Sequence, residues 1–292
     1  MSLSTDRAIA AVGTLARELG VDATPAVIAD RSNLVLRLDP HPIVARVAMA
    51  TSRVRVGMTW LQREIEVARF LTARGSLVTR PSALLEAGPF ERDGLVISFW
   101  ELETISGAAA EPRQAGAALA SIHQHLGTYP SDRLPEWGGF EEARRVLDHA
   151  RRSPLLDRAE LLRLERGFER AEAIVLSARA RSASFQAVHG DAHIGNVLST
   201  ARGAVWTDWE DAFVGPIEFD LACLRSKLLL FGEDRDAIEA MTAAYAGPWD
   251  PELTSELGLV RNVQVIAWLV VFAERQPELA PRMRARLGFL PG

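Results

Sequence analysis

Three residues in one part of the chain could do chemistry together: Asp191, Asn196 and Asp208. The first two lie in His189-Gly190-Asp191-Ala192-His193-Ile194-Gly195-Asn196, and the third opens Asp208-Trp209-Glu210. A carboxylate and an amide carbonyl are hard oxygen ligands of the kind magnesium prefers. A second carboxylate, kept off the metal, can accept the proton or hydrogen bond of an attacking alcohol. Phosphoryl transfer asks for little more. The protein must place the nucleophile in line and neutralise charge on the phosphate oxygens.

Two apolar runs must position this set. Phe185–Val188 reads as a short buried strand leading into the first segment. Ala204-Val205-Trp206-Thr207 reads as a second strand ending at Asp208. The His189-x-x-x-His193 spacing can mark zinc on a helix, but Gly190 and Gly195 argue for a loop.

Asp191 and Asn196 stand five residues apart, the spacing of the kinase catalytic loop, and Asp208 sits where a D-F-G motif keeps its metal-binding Asp. His-Gly-Asp-x-His-x-x-Asn, Asp-Trp-Glu, Gly215-Pro216 and Asp220-Leu221-Ala222 follow in order. Together they resemble the aminoglycoside phosphotransferase and choline kinase family. The resemblance implies an α+β, two-lobed protein-kinase-like fold. A small N-terminal antiparallel-sheet lobe would take residues 1–100, and a larger, mainly helical lobe residues 101–292, with a hinge near 98–107. It implies transfer of the terminal phosphoryl of ATP or GTP, with Mg2+, to a hydroxyl of a small molecule. Asp191 would be the catalytic carboxylate, Asn196 and Asp208 the metal ligands, and His189, His193 and Asp220 supports of the loop. The backbone at the hinge, near Phe99, Trp100 and Glu101, would meet the nucleobase. Glu210 and Asp211 could face a cationic acceptor or be solvated.

Upstream, Ala26-Val27-Ile28, Leu34–Leu38 and Ile43–Ala48 read as a strand meander with turns between. Ser32-Asn33 matches the family's first turn, with no glycine-rich loop. The third strand puts Val44, Arg46 and Ala48 on one face. Kinases keep their phosphate-anchoring lysine on this strand, yet the chain has one lysine in all, Lys227. Arg46 is the substitute, and a guanidinium fork is not equivalent to an ammonium. Residues 58–74 have helical spacing, and Glu64 or Glu66 would pair with Arg46; on a helix only one of them can face the strand. Val78–Ala87 and Leu95–Trp100 read as strands. Helices are expected at 4–19, 112–126, 140–151, from Ser153-Pro154 to about 181, and through much of 237–292.

Composition sets limits. The 292 residues suffice for one large domain or two modest ones. A net charge of -5 argues against nucleic acid as the main partner. One cysteine, Cys223, excludes an internal disulfide and fits a reducing, cytoplasmic setting. No signal peptide is read at the N-terminus, and Val263–Ala273 is too short to span a bilayer. No membrane partner is therefore expected, and the oligomeric state is not legible. Residues 1–100 carry 12 Arg against 10 acids, so the remainder holds the negative charge, which suits a polycationic acceptor such as an aminoglycoside. A sugar, macrolide or amino alcohol stays open. A binding protein with weak or lost transfer is the alternative that the missing lysine raises. Protein kinase ranks last, because only eleven residues separate Asp208 from Asp220 and no Ala-Pro-Glu follows.

Overall fold

The computed structural model describes residues 5–30, 33–49, 55, 57–274 and 276–291. Its contacts group the chain into two units: residues 1–109 with 198–210, and residues 110–197 with 211–292.

In the first unit, β1 (Thr24–Asp30), β2 (Asn33–Asp39), β3 (Ile43–Ala48), β4 (Phe90–Arg92) and β5 (Leu95–Glu101) make an antiparallel sheet in the order β1-β2-β3-β5-β4. Strand alternation gives this sheet two different faces. Ile43, Ala45 and Val47 join Leu34, Leu36, Leu38, Ile97 and Phe99 in a core with Ala8, Ala11, Val12 and Leu15 of α1 (Thr5–Glu18). Each Val, Leu, Ile or Phe among them, removed from water, contributes about 1.5–3 kcal/mol. Arg46 points to the other face, opposite Ser98 of β5, and Trp100 shares that face opposite Val44. There α2 (Thr59–Thr72) brings Glu64.

Residues 78–87 do not form the expected strand. Only two isolated bridges occur, Val78 to Trp206 and Pro81 to Trp100. Pro81 has no N–H for a ladder, and its neighbours bond in two directions: Thr79 N donates to Trp206 O at 3.0 Å and Ser82 N to Phe99 O at 3.0 Å. The hairpin of β7 (Val197–Thr200) and β8 (Gly203–Trp206) belongs with this unit from Leu198 onward. Trp206 N donates to Leu77 O at 2.8 Å, and Ser106 N to Ser199 O at 2.9 Å. A split of the chain at one point near residue 100 does not capture that return.

The second unit holds α3 (Pro112–Leu126), α4 (Gly138–Ala150), α5 (Arg158–Arg181), α6 (Ile217–Phe231), α7 (Arg235–Ala244), α8 (Pro251–Ala273) and α9 (Ala280–Leu287). A two-stranded ribbon of β6 (Phe185–Val188) and β9 (Phe213–Pro216) accompanies them. The helix α5 begins later than Ser153-Pro154 suggests. Asp157 caps it, accepting from Glu160 N at 2.8 Å, while the Glu160 side chain accepts from Asp157 N at 3.0 Å. By length and composition α8 could cross a membrane, so the run is longer than the sequence reading allowed. It is a core helix here: Leu257, Val260, Val263, Ile266, Ala267 and Val270 are fully buried.

Candidate active site

In the first unit, charge gathers on Arg46. Its side chain is buried, 10% exposed. Nη1 donates to Glu64 Oε1, and Nη2 donates to Asp208 Oδ1 at 2.6 Å and to Glu210 Oε2 at 2.9 Å. With its amide oxygen turned inward, Asn33 accepts from Nε at 3.0 Å. Burial alone would lower the Arg46 pKa, but Asp208, Glu64 and Glu210 outweigh it and hold the group charged. Burial pushes Glu64 up to about 8, against the opposing pull of Arg46. Of the two glutamates considered for α2, Glu64 is the one that faces the strand; Glu66 accepts a bond from Gln62 on the exposed side.

Asp208 adopts a left-handed backbone, φ 72°. Such a conformation in a residue other than glycine is uncommon and concentrates at functional positions. Its carboxylate is 30% exposed and commits Oδ1 to Arg46. Glu210 differs from expectation. It is buried, with one oxygen on Arg46 and the other on Arg55 Nη1 at 2.8 Å. Those two guanidinium bonds occupy it as a counter-ion of the cluster, not as an open acceptor contact. Asp211 is half-buried and belongs to the second unit.

In the stretch expected to be the hinge, which lies within the first unit, Phe99 is turned into the α1 core, and its backbone is taken on both sides: its N–H donates to Ala87 O at 2.9 Å and its C=O accepts from Ser82. Trp100 is buried, with Nε1 donating to Ser98 Oγ at 2.9 Å. Glu101 N already donates to Arg80 O at 2.9 Å. Ser32 lies outside the described residues.

In the second unit, the loop after β6 is built on Asp220, in the first turn of α6 and fully buried. Its Oδ2 accepts from His189 N at 2.7 Å and its Oδ1 from Gly190 N at 2.9 Å. His123 Nε2 sits 2.9 Å from the same Oδ2, and His123 Nδ1 lies 2.7 Å from Tyr245 Oη. Gly190 has φ +83° and runs so close to the Asp211 carbonyl that a Cβ would overlap it. Only glycine fits that turn. Each loop histidine turns Nδ1 to its own backbone: His189 accepts from Asp191 N at 3.3 Å and His193 from Gly195 N at 3.0 Å.

This frame presents Asp191 with a side chain 21% exposed. Arg261 Nη2 donates to its Oδ1, and His193 Nε2 lies 3.6 Å from Oδ2. Burial pushes the Asp191 carboxyl up, but Arg261 and the two histidines overcome it and hold the group well below the usual carboxylate range. Asn196 donates from Nδ2 to Asp191 O at 3.0 Å, which leaves its carbonyl Oδ1 without a protein partner among the described residues. The amide is thereby oriented, with its nitrogen turned to the Asp191 backbone. No three His, Cys, Asp or Glu side chains among the described residues are grouped to cage a metal alone. Magnesium does not ask for such a cage, since it takes one or two protein oxygens and completes its shell with water and phosphate. By their chemistry, the amide oxygen of Asn196 and the carboxylate of Asp208 are each the kind of hard oxygen donor that such a shell uses.

The sequence profile of the phosphotransferase enzyme family (APH) matches residues 18–257. The chain belongs to that family. No curated protein matches it in sequence. Among solved structures, choline kinase LicA from Streptococcus pneumoniae superposes with a TM-score of 0.67 at 13% identity, covering 95% of this chain and 97% of that one. Aminoglycoside phosphotransferase APH(3'')-Id from Streptomyces rimosus gives 0.59 at 18% identity, covering 87% and 97%. Amicoumacin kinase hAmiN, in complex with AMP-PNP, Ca2+ and Ami, gives 0.64 at 15% identity, covering 91% and 89%. At these identities the likeness shows the fold: an antiparallel-sheet unit followed by a mainly helical one, as in protein kinases.

For this phosphotransferase, sequence reasoning missed Arg55 and Arg261. Arg55 carries no local signal. Arg261 does: it is the one charge in the apolar run Leu257–Ala273.

Proposed function

We propose that the chain is a small-molecule O-phosphotransferase acting on Mg-ATP or Mg-GTP. The bond from the terminal phosphorus to its bridging oxygen breaks, and a bond from that phosphorus to the acceptor oxygen forms. Asp191 accepts the hydrogen bond of the acceptor hydroxyl and aims its lone pair. A carboxyl held so far below its usual range is a weak base, so orientation is its main work. In a loose transition state the hydroxyl proton departs late, after most of the bond to phosphorus has formed, passing along its hydrogen bond to Asp191 and from there to water, so orientation matters more than basicity. Asn196 and Asp208 would hold the magnesium, which supplies charge neutralisation at the phosphate oxygens. Arg46, backed by Glu64, steadies the phosphates, and Asp220 with His189 and His193 keeps the loop in shape.

The observation that carries this reading is Asn196. Its nitrogen is spent on the Asp191 carbonyl, so its oxygen is turned out as a ligand beside the carboxylate that orients the nucleophile. The acceptor is a small hydroxyl compound, and the acidic balance after residue 100 favours a cationic one, an aminoglycoside or amino alcohol.

One feature favours a second reading, a nucleotide-binding protein with weak transfer: Arg46 stands where a lysine is expected, and carboxylates already occupy it. Incubation with Mg-ATP or Mg-GTP and a panel of aminoglycosides, amino alcohols, sugars and macrolides separates the two. A phosphoester detected by mass spectrometry supports the kinase. Tight nucleotide binding without any phosphoester supports the binder.

A further inference from the structure

Arg261 is an unusual residue for its place. The helix α8 is apolar for most of its length, and even a half-buried guanidinium there is costly unless it is paired. It is paired with the one carboxylate that the proposed reaction needs. Nη2 donates to Oδ1 of Asp191, while no partner among the described residues is found for Nε or Nη1, and the side chain keeps 18% of its surface. The two oxygens of Asp191 are therefore unequal. Oδ1 is fixed by the guanidinium, and Oδ2 faces only His193, at 3.6 Å.

A carboxylate turns easily about its last torsion, which has broad minima. Among the described residues only the distant His193 adds to Arg261 at that carboxylate: Asn196 bonds the Asp191 backbone carbonyl, and His189 its backbone N–H. We propose that Arg261 is a positioning residue for phosphoryl transfer, pinning Oδ1 of Asp191 so that Oδ2 alone is offered to the acceptor hydroxyl. This inference rests on the kinase reading above. The competing role is bulk neutralisation, since Asp211 and Asp220 also lie in the field of Arg261. The two roles differ in one respect: a positioning residue acts through Asp191, and a counter-ion does not.

A double-mutant cycle reads that difference. Turnover of Mg-ATP is followed as ADP release, with the best hydroxyl compound of the panel or, failing one, with water. The enzymes are wild type, Arg261→Gln, Arg261→Lys, Asp191→Asn and the Arg261→Gln/Asp191→Asn double variant. Misplacement of a reacting group by about 1 Å costs roughly 100-fold. Arg261→Gln is expected to lower kcat by about that factor while KM for ATP stays within about twofold. Arg261→Lys, which keeps the charge and serves as the second variant should the Gln variant not fold, is expected to recover part of the loss. In the Asp191→Asn background, Arg261→Gln has almost no further effect.

Independent, multiplicative losses would overturn the positioning role, as would a wild-type kcat in Arg261→Gln or a loss confined to KM. Both Arg261 variants unfolding at the assay temperature would overturn it too, in favour of a structural counter-ion. If Asp191→Asn itself turns over like wild type, or wild type shows no turnover, the kinase reading fails first and this inference falls with it. If Asp191→Asn is impaired and Arg261→Gln is not, only the inference falls.

Discussion

Replacing Asp220 by Ala tests the frame on which the candidate loop is built. The carboxylate takes the N–H groups of His189 and Gly190 at 2.7 and 2.9 Å and holds His123 at 2.9 Å, all out of water. A hydrogen bond to a charged acceptor contributes about 1.5–3 kcal/mol, and a buried donor left without a partner costs about 1–3 kcal/mol. Two such donors are orphaned, and His123 keeps only Tyr245. Local relaxation and water entry return part of this. The net loss is set at about 3–5 kcal/mol, the range for breaking a buried charged pair. Urea unfolding followed by far-ultraviolet circular dichroism measures it, with the slope unchanged and the midpoint lowered. Asp220→Asn is the stricter companion. It keeps the shape but places an NH2 at one of the two positions where an oxygen now accepts a backbone N–H, so it too is expected to lose stability. A loss below about 1 kcal/mol in Asp220→Ala would refute the reasoning, because it is less than one ordinary hydrogen bond.

Other outcomes follow from the same contacts. Arg46→Met leaves Glu64, Asp208 and Glu210 facing one another without their shared cation and should cost about 3–5 kcal/mol of stability; Arg46→Lys, with the charge but not the fork, should cost about 1–2 kcal/mol in thermal or urea unfolding. Glu64 carries a folded-state pKa near 8, above its unfolded value. Its stabilising contribution is therefore fully present in acid and lost as pH rises toward 8, so wild type measured against Glu64→Gln should be relatively most stable near pH 5 and lose ground by pH 8. A gap that widens in favour of wild type with rising pH would count against this. Gly190→Ala combines a left-handed backbone with overlap at the Asp211 carbonyl and should cost about 2–4 kcal/mol. Gly75→Ala, at φ +75° but with open space around it, should cost only about 1–2 kcal/mol; equal losses at the two sites would remove the steric argument.

The parts of the fold that rest on periodicity were legible. The alternation of Ile43–Ala48 placed Arg46 on one face and the core residues on the other, and the spacing of 112–126 gave α3 its bounds. So were the loop and its brace, because Gly190 marks a tight turn and the order and spacing of Asp191, Asn196 and Asp220 match a known pattern. Long-range pairing was not legible. That residues 198–210 return to the sheet unit depends on bonds such as Trp206 N to Leu77 O, which no local pattern encodes. The absent strand at 78–87 has the same cause: its residues are apolar enough for a strand, but their partners lie in two directions. Side-chain burial misled at Glu210, where exposure was expected of a glutamate and two arginines from distant segments covered it. Arg261 could have been found, since a lone charge in an apolar helix requires a partner, but the sequence does not say that the partner is Asp191.

The most direct test of the central claim is transfer by Asp191→Ala, measured in a single turnover with Mg-ATP and an acceptor, beside nucleotide affinity from calorimetry. The account predicts a rate lowered by about 10²–10⁴-fold, the contribution of a positioned catalytic carboxylate, with the Kd for Mg-ATP essentially unchanged. Transfer at the wild-type rate by a folded Asp191→Ala protein would contradict it.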